Sequence, residues 1–409
     1  MRTLVIISLI LSSLVAWAQS DKLTLEQAIE VALKNNAGIK AAGYEVESQK
    51  QQKKTSFDLP KTNVSLMYGQ YNSYAKNDNN ITISQAIPFT ALGSQGALNR
   101  SMLAASQMRK AVTENELVFQ VKQVYYQIAF EQARRNLLLQ QDTIYEGFLK
   151  SASLRYKTGE SNLLEQTTAE TQRNDIKNQL RQNEADILVL KTQLGTLLNS
   201  SMPPDISESS LNEILFQEFP DTTALSANPA AAYMRQQVEV AKNEKRLQNA
   251  KFAPDLLLGY FNQTLIDVVN TENGAVATSA DRFTGFQVGL ALPLWFAPHQ
   301  GRAKAASFNQ QAAQSNYKNF QISLHGQWQQ AAQQYSKNKS SLDYYKTSAL
   351  PNADLILKQS QAAFRGGEIG FAEYLLGVRN AISLKEGYLK TLNDYNQSII
   401  YIEFLSGSK

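Results

Sequence analysis

Two predicted β-hairpins limit the fold of this chain more than any other feature, one at about 62–90 and one at about 255–295. Each contains two segments of roughly ten residues in which apolar and polar side chains alternate, a pattern typical of strands. That length is what a tilted strand needs to cross a bilayer. The apolar positions of the first hairpin lie on one face of each strand and include Val64, Leu66, Tyr68, Ile81, Ile83 and Ile87.

Long segments with helical periodicity separate the hairpins. Residues 92–156 contain no proline, and an apolar seam with 4-3-4 spacing, typical of coiled coils, runs through them at Leu117, Val121, Val124 and Ile128. Further helices are predicted at about 25–56, 161–199, 228–251, 302–364 and 369–404, with a loop at 296–301. Pro351 should kink or offset the helix that contains it.

The first residues have the form of an export signal. Arg2 provides a positive charge, an apolar stretch follows, and Ala16-Trp17-Ala18 is a typical cleavage site. A buried N-terminal helix is the alternative, and the polar residues that begin at Gln19 argue against it. The 409 residues contain no cysteine, which excludes disulfides, thiolate metal sites and a lipid-anchored cysteine.

The same order of elements occurs twice along the chain. In the pairs Pro60/Pro254, Pro88/Pro293 and Gly159/Gly367, the second residue follows the first by 194, 205 and 208 positions. This drift is typical of an internal repeat with a loop insertion. We therefore expect a signal peptide at 1–18, a first repeat at 19–202, an equatorial linker at 203–224 and a second repeat at 225–409.

The strand count predicts oligomerisation. Beyond the signal, no apolar run is long enough for a transmembrane helix, so only strands could cross a membrane. Four strands cannot close a barrel, because closed outer-membrane barrels have at least eight, and an open edge in lipid leaves backbone groups unpaired. The strands of several copies must therefore pair with one another.

Aromatic residues cluster in and beside the predicted strands, as they do at the two interfaces of a membrane barrel. The packing of aromatic residues in a soluble sheet is the alternative, and the export signal and the strand length argue against it. The predicted interface residues are Tyr68, Tyr71, Phe89, Tyr260, Phe261, Trp295 and Phe296.

With these features together, the sequence resembles the TolC family of outer-membrane efflux proteins over its whole mature length. Residues 23–36, the duplicated plan and the turn motifs at 155–160 and 364–368 carry the resemblance. Residues 290–295, followed by Gln300-Gly301-Arg302, resemble the branch that serves heavy-metal efflux pumps.

The resemblance implies a mainly α fold with a small β part. Three copies would form a long helical α-barrel that continues into a shared membrane β-barrel, with four strands from each protomer. It further implies an outer-membrane duct with a periplasmic extension, and a periplasmic adaptor and an inner-membrane RND-type transporter as partners. The exported substrates would be heavy-metal cations or drugs.

The resemblance also places the periplasmic tip at the two helix turns, around Gly159, Glu160, Gly366, Gly367 and Glu368. Within that tip, Glu373 best matches an acidic ring that narrows the pore, and Glu165 is its counterpart in the first repeat. The alternative is that both are ordinary solvated carboxylates. Leu376 stands where a second acidic ring would lie, whereas Glu160 and Glu368 would favour a helix N-terminus.

Other function classes lack support in the sequence. The two histidines, His299 and His325, have no second ligand at helical spacing, so no metal site or cofactor is predicted. No nucleophile elbow or phosphate loop suggests an enzyme, and a net charge of +4 without a basic cluster gives no reason to expect nucleic acid. A soluble periplasmic coiled-coil scaffold or adaptor is the competing hypothesis.

Overall fold

The computed structural model describes residues 22–208, 210–216, 219 and 221–408. Within them the chain is mainly α-helical and contains one four-stranded antiparallel sheet. It forms two compact units, the first from 22–41, 111–229 and 322–408 and the second from 42–110 and 230–321. The predicted signal peptide lies outside the described residues.

The element order repeats the plan predicted from the sequence. The helices are α1 Leu25–Asn35, α2 Ala37–Lys54, α3 Phe89–Lys157, α4 Leu163–Leu198, α5 Pro229–Ala250, α6 Phe296–Tyr344, α7 Leu350–Gly366 and α8 Phe371–Ser406. The strands are β1 Asn63–Tyr68, β2 Asn79–Ile87, β3 Asp255–Gln263 and β4 Phe283–Ala291. Short 3₁₀ turns at Thr55–Phe57 and Thr222–Ala227 precede the β1 and α5 segments.

The core of the first unit is formed by the seams of its long helices. The 4-3-4 residues of α3 are buried, and Val121 and Ile128 have no exposed surface. A buried polar contact joins α3 to α4, where the Asn183 amide donates to a carboxylate oxygen of Glu131 over 2.6 Å. At the start of α1, the Thr24 side chain accepts from the Gln27 amide in a capping box, as N-cap propensity predicts.

The second unit contains the sheet. Its strands follow the order β1-β2-β3-β4, and every neighbouring pair is antiparallel. β2 and β3 therefore join the two hairpins side by side. Among the described residues the outer edges of β1 and β4 have no partner strand.

Three boundaries differ from the sequence prediction, in which β1 extends to Tyr71, β4 extends to Trp295 and a loop follows at 296–301. β1 ends at Tyr68 because Gly69 adopts a φ of 121°, which an extended strand cannot continue. β4 ends at Ala291, before Pro293, which has no N–H for a ladder. The predicted loop at 296–301 is wrong: α6 begins at Phe296, because Pro298 lies in the first turn, where its missing N–H is not needed.

Pro351 offsets its helix without ending it. A single π turn, Tyr345–Ala349, lies between α6 and α7, and Pro351 follows in the first turn of α7. The wider turn accommodates a residue that cannot donate to the preceding ladder. The ring of Tyr345 lies against Gly387 of α8, where an added Cβ would be 2.3 Å from the phenol oxygen.

None of the helices in the described part of the chain combines the length and the apolar character that a transmembrane helix requires.

The contact at the π turn generates a stability prediction. Gly387→Ala should lower the free energy of unfolding by about 1–3 kcal/mol, because the new methyl group overlaps the rigid Tyr345 ring. Adding Tyr345→Leu should recover part of that loss, since the two changes are coupled. Chemical denaturation followed by circular dichroism measures both effects.

Gly147→Ala in α3 is the matched control, because nothing lies within 4 Å of a Cβ added there. It should be neutral or stabilising by up to about 1 kcal/mol. Equal losses at Gly387 and Gly147 would contradict the packing described for the π turn.

Candidate functional site

One face of the sheet is apolar and open to the surroundings. The register places alternate residues of all four strands on this face, so that Val64 pairs with Ile83, and Tyr260 pairs with both Ile83 and Phe286. Phe286 and Val288 are 86% and 73% exposed. The large apolar members of this face, called the apolar face below, are Val64, Leu66, Tyr68, Ile81, Ile83, Ile87, Leu256, Leu258, Tyr260, Phe286, Val288 and Leu290.

The opposite face is mostly small and polar, and its large apolar members are Met67, Leu257, Phe261 and Phe283. Its strand residues include amides, hydroxyls and three glycines, and its one charged strand residue is Asp255 at the beginning of β3. We call this surface the polar face. Its principal members are Asn63, Ser65, Asn80, Thr82, Ser84, Gly259, Gln263, Gly285, Gln287 and Gly289. The sheet thus separates an apolar surface from a polar one within a single layer of backbone.

Exposed aromatic residues stand at both ends of the sheet. Tyr68 and Tyr71 are at the end where the hairpin loops lie, whereas Phe89, Trp295 and Phe296 are at the end where α3 and α6 begin. Trp295 is 83% exposed. This arrangement fits two aromatic girdles, one at each membrane interface. That these residues lie at membrane interfaces stays a prediction.

Phe261 does not lie on the apolar face with Tyr68 and Tyr260. It pairs with Gly285 on the polar face, and an added Cβ at Gly285 would be 2.6 Å from the Phe261 ring. The alternation of a strand explains the difference, because Tyr260 and Phe261 are consecutive and must point to opposite faces.

A polar network holds the loop end of the sheet together. Arg282 donates to the side-chain oxygens of Asn262, over 2.5 Å, and Asn79, over 2.7 Å. The Asp78 carboxylate accepts from the Thr264 hydroxyl over 2.9 Å and from the Ile266 amide over 3.3 Å. The neighbouring Ser73 hydroxyl, followed by that of Thr264, lowers the pKa of Asp78, so this carboxyl group is ionised at neutral pH.

The two helix turns of the first unit have the same backbone geometry. Gly159 and Gly367 adopt φ values of 78° and 73°, in the left-handed region that favours glycine. In each turn the amide of the following glutamate donates across the helix end, Glu160 to the Arg155 carbonyl over 2.8 Å and Glu368 to the Ala363 carbonyl over 2.9 Å. Both turns are therefore Schellman motifs at equivalent positions of the repeat.

The acidic residues of the next helical turns are Glu165 and Glu373, and they take different parts in capping their helices. Glu165 lies in the first turn of α4, where its own amide donates to the Asn162 side chain, and Glu373 accepts from the Gly370 amide over 3.0 Å. Glu160 and Glu368, which the sequence predicts to favour helix N-termini, each lie two residues before an N-cap residue, Asn162 and Gly370. Each of them is used as a backbone donor at the end of a helix.

Glu165 and Glu373 differ in their surroundings. Glu165 is 8% exposed, and its carboxylate accepts from Arg155 over 3.1 Å and from the Ser161 hydroxyl. Glu373 is exposed, and among the described residues no lysine or arginine forms an ion pair with it. The positions equivalent to Arg155 and Ser161 in the second repeat are Ala363 and Ile369, which cannot neutralise a carboxylate.

Four aromatic rings pack the turns of the two repeats together. Phe148 stacks on Phe371 with ring centres 4.8 Å apart, and Phe364 stacks on Tyr374 at 4.6 Å. Burial raises the pKa of the Tyr374 phenol, which stays neutral. Beside these rings lies a cavity of about 910 Å³, bordered by Arg155, Arg365 and the backbone of the second turn.

Sequence reasoning did not identify Arg155 and Ser161 as partners of Glu165. A comparison of the repeats position by position would have shown that these two polar residues lack counterparts. Of the two histidines, His299 lies next to Phe252, with ring centres 5.5 Å apart, and His325 contacts Gln329. In the described part of the chain no three histidine, aspartate or glutamate side chains lie together as a metal site.

The fold is similar to those of solved outer-membrane channels. A CusC structure, described as revealing changes that accompany folding and transmembrane channel formation, superposes with a TM-score of 0.77 at 16% identity, over 95% of this chain and 93% of that chain. The outer-membrane channel OprN gives 0.80 at 15% identity, over 96% and 92% of the two chains. The outer membrane protein VceC from Vibrio cholerae gives 0.76 at 14% identity, over 94% and 96%.

No protein-family model matches the sequence, and no curated protein matches it. The likeness to solved structures confirms the predicted TolC-like fold, mainly helical with a small β part.

The Arg155–Glu165 pair generates a prediction. Arg155→Met should destabilise the first unit by about 1–3 kcal/mol, because it leaves a carboxylate that is 8% exposed without its cation. Arg155→Met combined with Glu165→Gln should restore most of that loss, since no uncompensated charge remains. Thermal unfolding of the purified variants measures the difference.

Lys157→Met serves as the control, because Lys157 is exposed near the same turn. If Arg155→Met were as harmless as Lys157→Met, the ion pair would not hold the turn.

Proposed function

We propose that this chain is the outer-membrane subunit of a tripartite efflux system, a passive duct without catalytic activity of its own. The main support for the proposal is the exposed apolar face of the sheet, whose edge strands β1 and β4 have no outer partner among the described residues. In water, a surface with Phe286, Val288 and Leu290 more than 60% exposed would be a site of aggregation. In a bilayer it is the surface that lipid requires.

The open edges argue for assembly. Within hydrocarbon each unpaired backbone group costs several kcal/mol, so the outer edge of β1 must meet the outer edge of β4 from another copy. Because a closed barrel needs at least eight strands, two copies are the minimum. The TolC-like fold supports three copies, which would form a barrel of twelve strands with the apolar face toward lipid and the polar face toward the pore.

The surroundings of the helices that leave the sheet follow from this orientation. With the sheet in the outer membrane, the helices that begin at Phe89 and Phe296 would lie in the periplasm. The family resemblance implies that the two helix turns would form the periplasmic tip. The cavity of about 910 Å³ beside these turns is a suitable place for a periplasmic adaptor, which would connect the duct to an energised RND-type inner-membrane transporter.

The competing hypothesis, a soluble coiled-coil scaffold or adaptor, explains the helical seams but not the sheet. A soluble protein gains nothing from a strand register that exposes one continuous apolar surface. The similar solved structures are described as outer-membrane channels, which also favours the duct. Heavy-metal cations and drugs are both candidate substrates, the former because residues 290–295 and 300–302 resemble the heavy-metal branch of the family.

Planar-bilayer recording tests the duct directly. We expect the purified protein to require detergent for extraction from the outer membrane and to open discrete ion-conducting channels after reconstitution. A protein that is extracted without detergent and conducts no current would support the soluble scaffold and overturn the proposal.

We further propose that Glu373, rather than the pair Glu373 and Glu165, provides the charge of the periplasmic gate. Both residues occupy the same position of the repeat, but Arg155 compensates Glu165. Three exposed copies of Glu373 would form one acidic ring that attracts cations to the entrance.

Glu373→Gln should therefore reduce the preference of the channel for cations over anions, measured as a shift in reversal potential under a salt gradient. The double variant Arg155→Met/Glu165→Gln is the matched control at the equivalent position, because it removes a compensated pair without a change in net charge, and it should leave the reversal potential nearly unchanged. Equal shifts in reversal potential for Glu373→Gln and the control, or no shift for Glu373→Gln, would contradict an asymmetric gate.

A further inference from the structure

Two phenylalanines interrupt the polar face near the loop end of the sheet. Phe261 pairs with Gly285, and Phe283 pairs with Gln263, so the two rings project from diagonal positions of neighbouring strands on the same face. The apolar face, where contact with lipid would favour aromatic residues, lies on the other side of the backbone.

The positions of the two rings differ. The distal carbons of Phe261 lie over Gly285, where even a methyl group would collide with the ring at 2.6 Å. Packing over the glycine holds Phe261 in place while leaving part of the ring open. Phe283, the first residue of β4, is 39% exposed.

This face presents no positive charge that would repel a cation. None of the polar-face strand residues is a lysine or an arginine. The Asp78 carboxylate, bonded to Thr264 at the same end of the sheet, is fully buried and is not part of the site. Arg282, the basic residue closest in sequence to Phe283, is bonded to Asn79 and Asn262, which belong to the opposite face.

Ring faces attract cations whose charge is spread over a weakly hydrated surface, with a gain of roughly 0.5–2 kcal/mol per contact. A small divalent metal ion keeps its water or takes oxygen ligands, and gains little from an aromatic ring. Two rings beside the amide groups of Gln263 and Gln287 therefore suit an aromatic organic cation better than a hydrated metal ion.

We propose that Phe261 and Phe283 form a binding site for aromatic organic cations on the polar face, at the loop end of the sheet. The inference rests on the proposed function, because the polar face must line the pore for a solute to reach the rings. It names aromatic organic cations as the class of exported solute that would bind at this point of the duct. In a trimer the site would occur three times around the exit.

The test measures block of single channels by ethidium added on the side of the hairpin loops. Phe261→Leu and Phe283→Leu keep an apolar side chain and remove the ring, and the double variant should raise the half-blocking concentration about tenfold. Phe283→Tyr should keep most of the block, because the ring face is retained. Phe286→Leu, on the apolar face, is the matched control and should leave the block unchanged.

Two further probes separate aromatic binding from simple charge. The aromatic anion 1-anilinonaphthalene-8-sulfonate should block far less than ethidium at the same concentration. Block by hexaamminecobalt(III), a cation without aromatic rings, should be the same in the wild-type protein and in the leucine variants.

The outcomes distinguish this inference from the proposed function. Channels that conduct normally but are blocked equally by ethidium in wild-type and leucine variants would overturn the aromatic site and leave the duct intact. A wild-type protein that opens no channel would overturn the duct itself. If the double variant fails to insert, Phe283→Leu alone, at the exposed end of β4, decides the question by the same measurement.

Discussion

The pairing of backbone groups at the sheet edges is the constraint on which the rest of this structure depends. A single layer of four strands presents an apolar face through Val288 and a polar face through Gln287, and both edges of that layer are open. Such a layer is stable in hydrocarbon only if its edges meet other strands. In the proposed duct, assembly, insertion and the pore follow from this one requirement, and the two faces of the sheet decide which surface would meet lipid and which would meet water.

The duplication supplies equivalent positions, and the two repeats use them differently. Both turns close with the same glycine geometry, yet Arg155 and Ser161 neutralise Glu165 while Ala363 and Ile369 stand at the equivalent places near Glu373. The second repeat alone contains the π turn before Pro351. One repeat thus forms a compensated turn, and the other keeps an exposed carboxylate and an offset helix.

The sequence predicted the helices, both hairpins and the matched turns, because periodicity and glycine positions are local signals. It did not predict where Phe261 lies relative to the girdles, since consecutive strand residues point to opposite faces and only the register decides which face is apolar. It also missed the partner of Glu165, because an ion pair across a turn depends on side-chain placement. The helical start at Phe296 was missed because Pro298 was taken as a loop signal, although proline is well tolerated in a first turn.

Thiol labelling along β4 tests whether one face of the sheet meets lipid and the other meets water, because the sequence contains no cysteine and each introduced thiol is a single reporter. Cysteines at Gln287 and Gly289 should react with a charged, water-soluble reagent in reconstituted vesicles. Cysteines at Val288 and Leu290 should react only with a lipid-soluble maleimide. Reaction of all four positions with the charged reagent at similar rates would contradict a sheet with one face in lipid and the other in a pore.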